Sequence, residues 1–307
     1  MKRIYVLGSI NMDLVFELDK LPLKGETVHS NKFFMTPGGK GANQAIACAR
    51  QEIDTYMIGS VGKDSLSEAC LQSLKSASVH TEYVTKTDQA SVGVAGILLE
   101  NNDNRIIVDS GANKYQKLQV IEEALAKGDA FDILIAQLEI PLEIILSSFK
   151  LAREKGMKTI LNAAPAYPLP IELYEHVDLL VVNETETNIL TGIEPTNEEQ
   201  TLKALNLFLE YGVKEVIITL GDQGSIYYSA NKQIKEPAKK VQVVDTTAAG
   251  DTYLGVYASS MLQGFSIEKS MKLATIASSI TISRYGAGAS IPTKKEIEVI
   301  YKEDFHE

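Results

Sequence analysis

Apolar residues recur along this chain in two rhythms. One is a short, nearly unbroken run bounded by glycine or polar residues, as at 215–220. The other is a longer segment with apolar residues three and four apart, the spacing of a helix that buries one face. From about residue 118 the two alternate. The pattern predicts helix 118–126 and strand 131–138, then helix 141–155 and strand 158–162. Strand 178–182 and helix 184–190 follow, then helix 199–211 and strand 215–220. Such alternation builds a mainly parallel sheet with helices on both faces. Gly224 opens a predicted hairpin of 225–229 with 233–236. Beyond it the chain reads as a strand at 241–244, a helix from Asp251 to about 262 and a helix from 267 to about 283. A glycine-rich turn at 284–292 and a helix over 294–301 close it.

The first third is less regular. A buried-type strand over 2–8, a helix ending near 51, strand 55–59, helix 65–75 and strand 82–85 keep the rhythm. Residues 20–37 have no helical period. Segments 91–100 and 105–110 flank Asn101-Asn102-Asp103-Asn104, a hairpin signal. Two insertions, about 12–37 and 90–110, thus predict a small β-layer beside the main sheet. Ala95, Ile97 and Val108 in it face a ligand, a partner subunit or the strand core, and alternation alone does not choose.

Composition narrows the function. A chain of 307 residues, 45% hydrophobic, is within reach of one large α/β domain, 1–307. A net charge of −10 with no long basic run argues against nucleic acid or an anionic membrane as main partner. Cys48 and Cys70 lie in helix-like segments with no metal or disulfide spacing, which points to a reducing cytoplasm. The four histidines are scattered, and no signal peptide, membrane-spanning run or Gly-x-Ser-x-Gly element is present.

Candidate chemistry gathers at predicted strand ends and helix starts. In Asp245-Thr246-Thr247-Ala248-Ala249-Gly250-Asp251-Thr252, small residues lead into a helix whose first N–H groups lack intrahelical partners. That is an anion seat. Asp251 at its rim is either a helix cap or a base that takes a proton from an attacking hydroxyl. Asn11 and Asp13, two apart beyond the first strand, share a face in an extended chain or form an Asx turn. Gly38-Gly39-Lys40-Gly41-Ala42-Asn43-Gln44-Ala45 sets glycines around a lysine before a helix, without the G-K-[ST] of a Walker loop. Lys40 and Asn43 supply donors for a polyhydroxylated ligand. Gln137-Leu138-Glu139, Asn162 and Thr219-Leu220-Gly221-Asp222-Gln223-Gly224 add polar groups at C-terminal strand ends, where open α/β sheets bind ligands. Asn183 and Glu186 form a capping box or help to hold Mg²⁺ through water. Ala274, Ala277, Ser278 and Ser279 keep their helix slim, for an adenine or for close helix packing.

Together these motifs resemble the ribokinase family of sugar kinases, of PfkB type, over nearly the whole chain. The two glycine-rich stretches carry the match, with Leu7-Gly8-Ser9-Ile10-Asn11-Met12-Asp13, Asn183-Glu184-Thr185-Glu186 and Thr219-Leu220-Gly221 in the family's order. The resemblance implies a three-layer α/β/α fold with a small β-sheet lid. It implies ATP-dependent phosphorylation of D-ribose at its 5-hydroxyl, with ATP as co-substrate, Mg²⁺ and an activating K⁺. By the same resemblance, Asn11, Asp13, Gly39, Lys40, Gly41, Ala42, Asn43 and Glu139 would bind the sugar, with Asp251 as base. Asn183, Thr219, Leu220, Gly221, Asp222, Gln223, Gly224, Gly250 and Thr275 would line the nucleotide site. Glu186 would act on Mg²⁺ through water. Asp245, Thr247, Thr281, Arg284, Gly286 and Ser290 would hold the monovalent cation, several through carbonyls.

The transferred phosphoryl group would sit on the N–H groups of Ala249, Gly250 and Asp251. Many relatives have glycine where this chain has Ala248, and alanine suits the loop if its φ is negative. Met12 packs into the core or, if it points at the sugar, favours a substrate lacking one hydroxyl. The alternatives are a kinase for deoxyribose, a nucleoside or a ketohexose, and a catalytically inactive sugar sensor. Exposed edges on the accessory strands suggest a homodimer paired through the lids.

Overall fold

The computed structural model describes residues 2–100 and 103–305, so Asn101 and Asn102, the expected hairpin tip, lie outside the described residues. The chain begins with β1 (Arg3–Leu7), β2 (Asn11–Leu18), β3 (Lys32–Gly38), α1 (Lys40–Ala49), β4 (Asp54–Val61), α2 (Ser65–Ser76) and β5 (His80–Lys86). It continues through β6 (Gly93–Glu100), β7 (Asp103–Asp109), α3 (Leu118–Ala126), β8 (Ile133–Gln137), α4 (Leu142–Glu154), β9 (Lys158–Asn162) and the short α5 (Ile171–Tyr174). Next are β10 (Leu179–Asn183), α6 (Glu184–Thr191), α7 (Glu198–Glu210), β11 (Glu215–Thr219), β12 (Ser225–Ser229) and β13 (Lys232–Glu236). Three helices end it: α8 (Ala249–Leu262), α9 (Ile267–Ile282) and α10 (Lys294–Phe305).

Nine strands form one sheet in the order β13-β12-β11-β10-β9-β8-β1-β4-β5. The seven from β5 to β11 pair in parallel, and β12 and β13 close the far side as an antiparallel hairpin. Side chains on a strand alternate between faces, so each central strand feeds two cores. Ile4 and Val6 pack with Ala45 of α1, Leu71 of α2, Leu254 of α8 and Met271 of α9. Tyr5 and Leu7 pack on the opposite face with Ile121 of α3, Phe149 of α4 and Phe208 of α7. This is the three-layer α/β/α arrangement that the sequence resemblance implies.

A second sheet, in the order β3-β2-β6-β7, stands beside the first. Its central pair, β2 with β6, is parallel, and both outer pairs are antiparallel. Val15, Ala95 and Ile97 are buried on one face with Phe34 and Leu99. Val15, Ile97, Phe34 and Leu99 line a cavity of about 710 Å³ that opens between this sheet and residues 242–247 and 285–287. Val108 is instead 51% exposed, and Met12 is buried in the main core rather than turned to a ligand.

One local expectation fails. Residues 241–244 form no strand and pair with no strand. Val244 and Asp245 instead donate their N–H groups to the carbonyl of Ile282, at the end of α9. The slim stretch of α9 serves helix packing: Ala274 and Ala277 are fully buried, and Ser278 Oγ donates to the carbonyl of Ala249.

Candidate active site

β1 is an interior strand, third from the β5 edge, and the chain turns after it through Ser9 into β2. Asn11 and Asp13 are therefore strand residues on one face, not an Asx turn, and both are buried. Asn113, in a short 3₁₀ turn after β7, fixes the first of them. Its Nδ2 donates to Asn11 Oδ1 at 2.7 Å and its Oδ1 accepts from Ile10 N at 3.0 Å. With its oxygen so engaged, Asn11 keeps its own N–H donors for the cleft. The Asp13 carboxylate has no hydrogen-bond partner among the described residues. Burial, then the charges of Glu139, Asp251 and Asp245, push its carboxyl up to about 7, and Lys40 opposes the rise.

The glycines before α1 are used to dock that helix. Gly39, at φ 92°, is its N-cap, and a Cβ on Gly41 would stand 2.7 Å from the backbone of Gly8 and Ser9. Ala42 N donates to Ser9 O at 3.0 Å, so Gly41 and Ala42 meet the protein backbone. The docking brings Lys40, Asn43 and Gln44 to the strand ends. Glu139 Oε2 accepts from Ser9 Oγ and, at 3.4 Å, from Lys40 N. Burial pulls the Lys40 ammonium down, but Asp251, Glu139, Glu186 and Asp13 together hold it above its ordinary value. One lysine thus balances the site's carboxylates.

Asp251 lies in the first turn of α8 and is 7% exposed. Its Oδ2 accepts from Asn43 Nδ2 at 3.1 Å and its Oδ1 from Gln44 Nε2 at 2.8 Å. Burial raises its pKa, against Lys40, Gln44 and Asn43, which lower it. The cap reading fails, since the N-cap is Ala248 and no side chain caps the helix. Ala248 has φ 61°, not the negative value expected for alanine. The seat is also narrower than expected. Ala249 N donates to Thr246 O at 3.3 Å, which leaves Gly250 N and Asp251 N without partners among the described residues. Gly250 is exposed, with nothing within 4 Å of where a Cβ would stand.

Asp245 joins this loop to the last turn. Its Oδ1 accepts from Thr247 N and Thr247 Oγ1 at 2.9 and 2.6 Å, and its Oδ2 from Gly286 N at 3.0 Å. Those bonds use three of about four acceptor positions on a carboxylate, so a cation here would rely on neighbouring oxygens. Among the other expected ligands, Thr281 Oγ1 bonds Thr252 Oγ1, Ser290 Oγ donates to Ala287 O, and the Arg284 guanidinium pairs with Glu296. Their backbone carbonyls are what they would offer.

On the other side of the cleft, Asn183 and Thr219 are register partners at the ends of β10 and β11. The capping box is present: Glu186 N donates to Asn183 Oδ1 at 2.8 Å and Asn183 N to Glu186 Oε2 at 2.9 Å. That leaves Glu186 Oε1 for a hydrated cation. Burial raises the Glu186 carboxyl, and the bond from Asn183 N partly offsets this. Gly221, Asp222 and Gln223 form an exposed 3₁₀ turn closed by Leu220 N to Gly224 O at 2.8 Å. Leu220 itself is core, and Thr275 is half-buried on α9 without a hydrogen bond to this group. Sequence reasoning did not single out Ser9 or Asn113, nor give Gln44, Gln137 and Asn162 roles. Their only signal was polarity beside strand ends.

The comparisons cover all of these segments. Residues 1–294 match the family described as pfkB family carbohydrate kinase. Ribokinase of Staphylococcus aureus (strain COL) is 39% identical over 306 residues, covering 97% of this chain and 99% of the relative. Deoxyribokinase of Salmonella typhimurium (strain LT2) is 32% identical over 292 residues, covering 94% and 95%. The structure of Arabidopsis thaliana ribokinase complexed with ribose and ATP aligns with a TM-score of 0.90 at 32% identity, covering 98% of this chain and 99% of that one. From the first strand to the glycine-rich last turn, the chain belongs to the pfkB family of carbohydrate kinases.

Proposed function

We propose that this enzyme transfers the γ-phosphoryl group of ATP to the 5-hydroxyl of D-ribose, giving D-ribose 5-phosphate and ADP. The observation that carries the reading is Asp251, a buried carboxylate held by two amides beside free N–H groups at a helix start. Asn11 offers donors to the sugar, and Asp13 and Glu139 offer acceptors. Asp251 takes the proton of the attacking hydroxyl. Its raised proton affinity makes it a stronger base than an exposed aspartate. Lys40 and the N–H groups of Gly250 and Asp251 meet the charge that develops on the phosphoryl oxygens. Mg²⁺, held through water by Glu186, would neutralise charge on the nucleotide phosphates. K⁺, beside Asp245 and the carbonyls of the last turn, would stiffen the seat. The small sheet would serve as the lid of a single domain, excluding water as a competing acceptor.

Asp251→Asn is expected to lower kcat by about 10²–10⁴-fold, the usual contribution of a general base. Ribose binding, followed by calorimetry, should remain measurable. An active Asp251→Asn enzyme removes this residue from the role. The burial of Met12 in the core removes the specific reason to favour a substrate lacking one hydroxyl. ADP release over a panel of ribose, deoxyribose, nucleosides and ketohexoses, with and without K⁺, tests sugar and cation together. We also propose a homodimer paired through the small sheets and a cytoplasmic setting. Both cysteines are free and buried, and no described helix is long and apolar enough to cross a membrane.

A further inference from the structure

Three carboxamides form a chain that ends on Asp251. Gln137 Nε2, at the end of β8, donates to Gln44 Oε1 at 2.7 Å. Gln44 Nε2, on α1, donates to Asp251 Oδ1 at 2.8 Å and to Asn162 Oδ1, at the end of β9, at 3.1 Å. A carboxamide turned end for end keeps its shape, so its polarity has to be dictated by a group that cannot turn. That group is the carbonyl of Val181 on β10, which can only accept. Asn162 Nδ2 donates to it at 3.2 Å, so Asn162 presents its oxygen to Gln44. Gln44 must then present its nitrogen, whose second hydrogen goes to Asp251. Its oxygen is left facing Gln137.

Gln137 is fully buried, and its own Oε1 has no partner among the described residues. A buried acceptor left unpaired costs stability. The residue is therefore poorly explained as a contributor to the fold, and its one satisfied polar group is the donor aimed at Gln44. We propose that Gln137 is a positioning residue for phosphoryl transfer: by donating to the oxygen of Gln44 it acts with Asn162 to hold that amide so that an N–H, not an oxygen, faces the carboxylate of Asp251. This rests on Asp251 being the base. Without Gln137 the amide of Gln44 is held by Asn162 alone and can tilt or turn, which takes a donor from the charged carboxylate and lets it swing away from the sugar hydroxyl. The charged groups that act on Asp251 are Lys40 on α1, Asp13 on β2 and Glu186 on α6, and Glu139 after β8 and Asp245 before α8 act in turn on Asp13. Gln137 is uncharged, so its replacement by Leu leaves all of them in place.

The test is the pH profile of kcat at saturating ribose and ATP for Gln137→Leu and Gln137→Glu, with Asp251→Asn alongside. Leu removes the donor and the orphaned acceptor together. Glu can only accept when ionised, so it demands an N–H and drives Gln44 to turn. Both are expected to lower kcat roughly 10–100-fold, the scale of a misplaced reacting group. Both should also move the acid limb up by about one pH unit as the base loses a donor. The KM for ATP should stay within about twofold, and the thermal midpoint of Gln137→Leu should match that of the parent. If Gln137→Glu does not fold, Gln137→Leu decides alone. A parent-like kcat and acid limb in Gln137→Leu overturns the proposal, and so does a fall in kcat with an unmoved acid limb. An inactive Asp251→Asn in either case leaves the base assignment standing, whereas an active one overturns both.

Discussion

Asp13 and Asn11 share a strand face, yet only Asp13 costs stability. Its carboxyl is pushed up to about 7 in the folded chain, against about 4 when unfolded. The folded state therefore holds a proton that the unfolded chain has released, and stability falls as pH rises through that window. Asp13→Asn is expected to stabilise the ligand-free protein by about 2–4 kcal/mol at pH 8, with the difference vanishing near pH 4. Urea midpoints at the two pH values check this. The same variant should bind ribose more weakly, since an amide offers the sugar one acceptor instead of two. Conversely, Asn113→Ala should weaken ribose binding without touching the ligand, because it frees the amide of Asn11 to rotate. An unchanged Kd would show that β2 alone orients Asn11.

At the scale of elements, the start of α8 sets two demands against each other. Ala248 adopts a left-handed φ that costs an alanine about 1–2 kcal/mol. Ala248→Gly relieves this but gives the unfolded chain more freedom, by about 0.4–1 kcal/mol, so a small net gain in the thermal midpoint is expected. Gly250→Ala should likewise stabilise, by up to about 1 kcal/mol, because nothing crowds the added methyl. It should nonetheless lower turnover sharply, since that methyl enters the proposed phosphoryl seat. A Gly250→Ala enzyme of normal kcat would move the seat elsewhere. The regular helices and strands were legible because each carries its own periodicity, and Lys158–Asn162 falls on its expected bounds. The stretch 241–244 misled because three valines have strand propensity, while a strand also needs a neighbour. Likewise, the polarity of Gln137 and Asn162 was visible, but not that both reach for Gln44.

At the scale of the whole molecule, both edges of the small sheet carry exposed apolar residues. Residues 105–109 of β7 are exposed at every position, and Ile107 is 70% exposed. Phe33 and Met35 on β3, the opposite edge strand, are about half exposed. Sedimentation of the parent chain is expected to give a dimer and that of Ile107→Glu a monomer. A monomeric parent would end the lid-pairing reading. The carboxamide chain has a consequence on another axis, that of time. Its bonds join residues 207 positions apart at Asp251, and 93 and 118 apart at Gln44. Contacts of such range close late, after the local helices and hairpins. No fragment that stops short of α8 contains the base, and no chain that has yet to seat α1 against β8 and β9 orients it. Recovery of turnover on refolding should therefore lag the recovery of helical signal and follow its slowest phase.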